Sequence, residues 1–236
     1  MALAFFYNSE INIDTVQLVL NEETSKHIVQ VLRMQNGEQL QITDGKGNLF
    51  TTTITDNNRK RCEVVVINTI KSQKSKVKIS IAISLIKNAS RFEWFLEKAT
   101  EMGVAEIIPL ICTRTEKQQL KFERMQGILI SAMLQSQQCW LPVLQEPIKL
   151  NAVINQATTQ QKLIAHCEVE NNKIQVSSIA ANSSEGKLIL IGPEGDFTTD
   201  EITSALQNNF IPVSLGNTRL RTETAGIAAA ALLCLV

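Results

Sequence analysis

Six consecutive residues without an apolar side chain, Lys71 to Lys76 (KSQKSK), separate two stretches whose apolar residues repeat with different periods. Before them the chain alternates short β-branched runs with turn residues. Leu3 to Tyr7, Gln39 to Thr43, Asn48 to Thr55 and Cys62 to Ile70 read as strands. Asp44-Gly45-Lys46-Gly47 reads as a hairpin turn between two of them, and Asp56-Asn57-Asn58 as a second turn. One helix interrupts the strands. Asn21 can cap it, Ile28, Val31 and Leu32 share a face, and Gly37 follows its end. Short strands with one helix predict a small β-barrel over residues 1–72. The polar hexapeptide then serves as a linker, with a long surface loop as the alternative.

Over residues 73–236 strands alternate with helices. Val77 to Ile86, Ala105 to Ile111, Lys162 to His166, Lys187 to Ile191 and Ile211 to Leu215 read as strands. Ser90 can cap a helix whose apolar stripe is Phe92, Phe95, Leu96, Ala99 and Met102, ended by Gly103. Phe122 to Gln138 reads as helical. Thr198-Thr199-Asp200-Glu201 is a capping box for a helix to about Asn208, and Thr222 to Val236 is a final Ala-rich helix. This alternation predicts an α/β domain with a largely parallel sheet, whose ligands sit at the C-terminal ends of the strands.

Composition excludes several classes. Apolar residues are 44% and charged residues 19%, enough to bury a core. Lys+Arg and Asp+Glu are 23 each, so any basic surface must be local. The longest uncharged apolar run, Ala225 to Val236, is short of the ~20 residues of a membrane span. The N-terminus lacks the basic flank of a signal peptide. Five cysteines without CxxC spacing fit reduced cytoplasmic thiols, and two histidines, His27 and His166, disfavour a metal site.

Two segments follow strands and open helices. Ile191-Gly192-Pro193-Glu194-Gly195-Asp196-Phe197 has two glycines that permit close backbone approach to a ligand. It is neither GxGxxG nor a P-loop. Leu215-Gly216-Asn217-Thr218-Arg219-Leu220-Arg221-Thr222-Glu223-Thr224-Ala225 turns sharply at Gly216 and offers Thr222 or Thr224 as a helix cap. The first alone reads equally as an ordinary tight strand–helix turn, and the charged cluster of the second as a solvated loop. Together, on one sheet, they predict a shared pocket. His166 ends another strand of that sheet and reads as a pocket residue or a polar strand end.

IGPEGDF followed by LGNTRLRTETA resembles the 16S rRNA uracil-N3 methyltransferase family, within the SPOUT class of S-adenosylmethionine-dependent RNA methyltransferases. The likeness extends over the chain. His27 to Met34 with Asp44 to Gly47 resembles the family's PUA-like RNA-binding domain. Glu97 to Val104 with Ile107-Ile108-Pro109 resembles the first helix and second strand of its catalytic domain. Where the family has a glycine-type residue, this chain has Asp196.

The resemblance implies a C-terminal trefoil knot, a homodimer, and S-adenosylmethionine held by Ile191, Gly192, Glu194, Gly195, Leu215, Gly216, Leu220, Thr224 and Ala225. It implies methylation of a uridine near the 3′ end of 16S rRNA in the small ribosomal subunit, with no membrane or metal involved. The target base must be unpaired, because N3 lies on the Watson–Crick edge. The anion developing on uracil needs a cation, for which Arg219 and Arg221 are candidates. Glu223 is a base, an orienting partner of an arginine, or a cofactor contact. Arg33, Lys46, Lys87 and Arg91 are candidate RNA contacts. The rivals are a SPOUT enzyme with another rRNA or tRNA target, a non-catalytic RNA-binding module, and a nucleotide-binding α/β protein unrelated to RNA.

Overall fold

The computed structural model describes residues 3–168, 173–180 and 186–235. The chain divides into two units, one of which runs up to Lys74 and also takes in Met133–Leu141. The other comprises Ser75–Ala132 and the chain from Pro142 onward.

In the first unit β1 (Ala4–Tyr7), β2 (Gln17–Val19), α1 (Glu22–Lys26), β3 (Gln39–Thr43), β4 (Asn48–Asp56) and β5 (Glu63–Lys71) succeed one another along the chain. The sheet order is β1-β3-β4-β5-β2, with β1 parallel to β3 and the other pairs antiparallel. Asn21 caps α1, its side chain accepting the Thr24 N–H at 2.8 Å. Inward-facing Leu40, Ile42, Phe50, Ile54 and Val64 form the core with Ile28. The expected stripe fails after Ile28. The helix continues as a π-helical turn over His27–Val31, which adds a residue per turn and rotates the next side chains outward. Val31 and Leu32 are therefore 67% and 43% exposed.

Nothing in the residue pattern indicates that Met133–Leu141 joins this unit. It does so at the hairpin tip. Leu141 donates its N–H to the Gly45 carbonyl at 2.8 Å, and Gly47 donates to the Cys139 carbonyl at 2.7 Å. The ammonium groups of Lys71 and Lys74 lie 5.0 and 4.9 Å from a Trp140 ring centroid. Gly47 has φ +92°, and a Cβ there would lie 2.2 Å from the Trp140 ring. Gly47→Ala thus combines left-handed strain with a clash and should cost about 3 kcal/mol in urea unfolding. Gly37, at φ +87° with no atom within 4 Å of an added Cβ, should cost only about 1 kcal/mol on the same substitution.

The second unit contains β6 (Lys78–Ser84), α2 (Ala89–Glu101), β7 (Glu106–Ile111), α3 (Phe122–Gln135), β8 (Val143–Leu144) and β9 (Ile148–Lys149). Then come α4 (Leu150–Gln156), β10 (Gln161–Ala165), β11 (Ile174–Gln175), α5 (Val176–Ala180), β12 (Gly186–Ile191), α6 (Thr199–Gln207), β13 (Ile211–Ser214) and α7 (Thr222–Cys234). The last residues of α3 begin the segment that joins the first unit. All strand pairs here are parallel, in the order β11-β13-β10-β12-β6-β7-β8, with β9 also on β7. The central strands are buried on both faces, as their continuous Ile and Leu runs require. One core cluster packs α4 and α6 on the sheet through Leu150, Ile154, Ile202 and Ala205.

Three local expectations change. Asn88, not Ser90, caps α2, its Oδ1 accepting the Ser90 N–H at 3.0 Å. Met102 is the C-terminal cap residue of α2 rather than part of its stripe. Neither Thr222 nor Thr224 caps α7; Arg221 occupies that position without a side-chain bond. The expected helix end at Val236 lies outside the described residues, as do Met1 and Ala2. Among the described residues no helix is long and apolar enough to cross a membrane.

Candidate functional site

The order β13-β10-β12 brings three strand ends side by side, so the loops after them meet. A cavity of about 250 Å3 opens there. Ala165 at the end of β10, His166 and Cys167 after it, Leu215 to Leu220 after β13, and Ala225 on α7 line it. A cleft of about 50 Å3 adjoins it, shares Ala165, Cys167, Arg219, Leu220 and Ala225, and adds Ile191 at the end of β12 with Gly192, Glu194 and Asp196 after it.

The loop after β12 is fixed on both sides. The capping box at Thr198 and Glu201 forms, with Thr198 Oγ1 accepting the Glu201 N–H at 3.2 Å. The second oxygen of the buried Glu201 carboxylate accepts from the Thr113 N–H at 2.8 Å and hydroxyl at 3.0 Å. Arg114 Nη1 donates to the Gly195 carbonyl at 2.6 Å. Asp196 takes the left-handed conformation at φ +65°, where aspartate is tolerated better than most residues. Its carboxylate accepts the Phe197 N–H at 2.9 Å and the Cys167 N–H at 2.7 Å. The departure from glycine is thus put to use, tying this loop to the one after β10.

The loop after β13 is joined to the first by Thr222, whose hydroxyl donates to the Gly192 carbonyl at 3.0 Å. Gly216 sits at φ +147°, and the Ser214 hydroxyl closes the turn by donating to the Gly216 carbonyl at 2.9 Å. No described residue accepts from the backbone N–H groups of Asn217, Thr218, Arg219 or Leu220. Those donors are available to a ligand. Burial, and next the neighbouring Asp196 carboxylate, push the Cys167 thiol up, so the cavity wall there is a neutral thiol at pH 7.

Leu215, Gly216, Leu220 and Ala225 line the larger cavity; Ile191, Gly192 and Glu194 line the cleft. Gly195 and Thr224 line neither, the former being covered by Arg114. Arg219 is exposed and lines both spaces. Arg221 is exposed at the start of α7 and lines neither.

Glu223 lies in the first turn of α7, 4% exposed, and lines neither space. Its Oε1 is 3.7 Å from Arg91 Nε, and among the described residues its Oε2 has no hydrogen-bond partner. Arg91 Nη1 is also 3.2 Å from Glu194 Oε1. Arg91, expected only as an RNA contact, therefore bridges the carboxylates that come after β12 and β13. Lys87 is paired with Glu116 at 2.7 Å. Arg33 and Lys46 are exposed in the first unit, Arg33 at φ +57°.

Sequence reasoning missed Arg114, Cys167 and Lys173. Lys173 lines the cavity and donates to the His166 and Glu168 carbonyls at 2.5 and 2.6 Å. Position directly after β10, which points to His166, is also the signal for Cys167.

Two family models match this chain. The RNA methyltransferase domain matches residues 73–234, and the RNA methyltransferase PUA domain matches residues 20–67. Ribosomal RNA small subunit methyltransferase E of Synechocystis is 30% identical over 210 residues, 87% of this chain and 68% of that protein. A probable rRNA-methyltransferase from Porphyromonas gingivalis superposes with TM-score 0.90 at 39% identity, over 99% of both chains. Ribosomal RNA small subunit methyltransferase E of Neisseria gonorrhoeae, solved with S-adenosyl methionine, superposes with TM-score 0.86 at 29% identity, over 98% of this chain and 96% of that one. The parallel-sheet unit with its C-terminal loop cavity, and the β-rich unit before it, are those of the RNA methyltransferase family with a PUA-like domain, and the chain belongs to that family as a relative of the ribosomal RNA small subunit methyltransferases E.

Proposed function

We propose that this enzyme methylates N3 of a uridine near the 3′ end of 16S rRNA, in the small ribosomal subunit, with S-adenosylmethionine as donor. The observation that carries this is the loop cavity. It combines apolar Leu215, Leu220 and Ala225 with four unengaged backbone N–H groups, a lining suited to an adenosine. S-adenosylmethionine supplies an electrophilic methyl on its sulfonium.

The chain's residues do the rest. Leu215, Leu220 and Ala225 cover the apolar faces, while Gly192 and Gly216 keep the backbone close. Arg219, shared by cavity and cleft, faces the negative charge that spreads over the uracil ring as N3 loses its proton. Arg221, at the mouth of the same loop, adds to the local positive potential. Glu223 acts through Arg91, orienting it between the two loops. Thr224 and Gly195 act by shaping α7 and the first loop.

Residues 1–72 are assigned to RNA binding, with Arg33 and Lys46 on the exposed face, and residues 73–236 to methyl transfer, with Lys87 near the RNA. A trefoil knot belongs to this reading. It is supported by α7 packing on β6, β12 and α2 although β13 lies beyond β10. A homodimer acting in the bacterial cytoplasm, where small subunits assemble, completes it.

The test is methyl transfer from labelled S-adenosylmethionine to small subunits from cells lacking the modification, with mass spectrometry of the nucleosides. Labelled 3-methyluridine is expected. Another methylated nucleoside overturns the target, and no transfer together with no cofactor binding overturns the activity.

A further inference from the structure

A second cavity, of about 280 Å3, opens beside the start of α2. Its floor is apolar, with Phe92 and Met125 buried and Leu120 half-buried. Its rim carries Lys117, Lys121 and Arg124 against one carboxylate, Glu93. Arg124 holds that carboxylate in a two-pronged pair, Nε to Oε1 at 2.7 Å and Nη2 to Oε2 at 3.0 Å. Arg124 first, and the two lysines behind it, keep the Glu93 carboxyl below its ordinary range. The nearby Glu116 is occupied by Lys87. Neither Lys117 nor Lys121 forms an ion pair among the described residues. The rim therefore keeps an excess of two positive charges, three cations less one carboxylate, in a chain of net charge zero.

An apolar floor under unpaired ammonium groups suits one class of occupant. A base lays its face on the floor and its phosphates meet the lysines. Position makes the occupant specific. Ser90 and Phe92 line this cavity, and Arg91 between them reaches Glu194 on the cleft of the first site. Arg91 thus links the start of α2, which lines this cavity, to the loop that lines the cleft.

We infer that this cavity holds an unpaired nucleotide of the RNA substrate next to the one that is methylated, an assignment resting on the RNA methyltransferase reading above. Lys117 and Lys121 bind its phosphates, and Leu120 with Phe92 supports its base. RNA is recognised mainly through unstacked single-stranded nucleotides, and a strand entering the first site must place its neighbour nearby.

The decisive experiment measures KM for small subunits against salt with the whole enzyme. The Lys117→Gln/Lys121→Gln variant should raise KM about ten-fold near 0.1 M salt. It should also flatten the plot of log KM against log salt by about 1.4, since each lost single-strand phosphate contact removes about 0.7. Its calorimetric affinity for S-adenosylmethionine should match the parent's. Leu120→Ser should raise KM with the salt slope unchanged, and Lys117→Arg/Lys121→Arg should restore both parameters. An unchanged KM and slope in the double glutamine variant overturns the assignment. So does an equal loss of cofactor affinity, or a changed sedimentation coefficient, which would make the cavity a contact between copies of the chain. Which nucleoside gains the methyl tests the proposed reaction separately, because the slope is read on whatever base is modified.

Discussion

Arg91→Ala lowers kcat/KM for methyl transfer about 100-fold, the penalty expected when a catalytic pocket's loops lose their register. The reason lies in what Arg91 holds. Glu194 comes after β12 and Glu223 after β13, and the guanidinium reaches both, at 3.2 and 3.7 Å. Glu223 is 4% exposed, and among the described residues its Oε2 has no hydrogen-bond partner. Without Arg91 a buried carboxylate stands uncompensated, which costs about 3 kcal/mol unless the loop moves. Such a movement displaces Thr222 and its bond to Gly192, a tie between the two loops. Arg91→Lys should recover only part of the activity, because one ammonium cannot span two carboxylates as a planar fork does. Lys98, on the same helix, also bridges two carboxylates, Glu97 and Glu101 at 2.7 and 2.8 Å, but far from the loops. Lys98→Ala should change kcat/KM by less than about two-fold, as solvent-screened pairs contribute little. In the Arg91→Ala/Glu223→Gln double variant the second change should cost much less than it does alone, because the two side chains act as one unit. Additive losses would show that Glu223 works independently of Arg91.

The same pair shows where sequence reasoning stops. IGPEGDF and LGNTRLRTETA were legible as one site because each follows a strand, carries a glycine where the backbone must turn, and opens a helix. Local chemistry dictates all three properties. The parallel sheet was legible for a similar reason, since buried parallel strands leave continuous apolar runs. What Arg91 and Glu223 do depends on residues more than a hundred positions apart meeting across α2 and α7, and no local pattern encodes it. The return of Met133–Leu141 to the first unit rests on two backbone hydrogen bonds and a glycine shaped around Trp140, again a tertiary match. The misplaced faces of Val31 and Leu32 have a subtler origin. A single π-helical turn shifts the phase of the helix, and a 3.6-residue template cannot anticipate it.

Gly226→Val lowers the stability of the enzyme by about 3 kcal/mol, whereas Gly127→Ala raises it by about 1 kcal/mol. Both glycines lie inside helices, where glycine is the costlier residue, so propensity alone predicts stabilisation in each case. The surroundings reverse one of them. An added Cβ at Gly127 meets nothing within 4 Å, leaving the propensity gain intact. At Gly226 it would lie 2.7 Å from the Phe95 ring and 2.8 Å from Ile83 Cδ1, both on fully buried side chains. Valine adds two more methyl groups to that contact, so α7 must lift from α2 and β6. At roughly 2–4 °C per kcal/mol for a chain of this size, Tm should fall by about 10 °C. The lift also moves the first turn of α7, which carries Thr222 and Glu223 beneath the loop cavity. Methyl transfer measured well below Tm should therefore fall too, by about ten-fold, a loss that unfolding cannot explain. Full activity at low temperature in a destabilised Gly226→Val enzyme would mean that the close approach of α7 serves stability alone and that the loops keep their register without it.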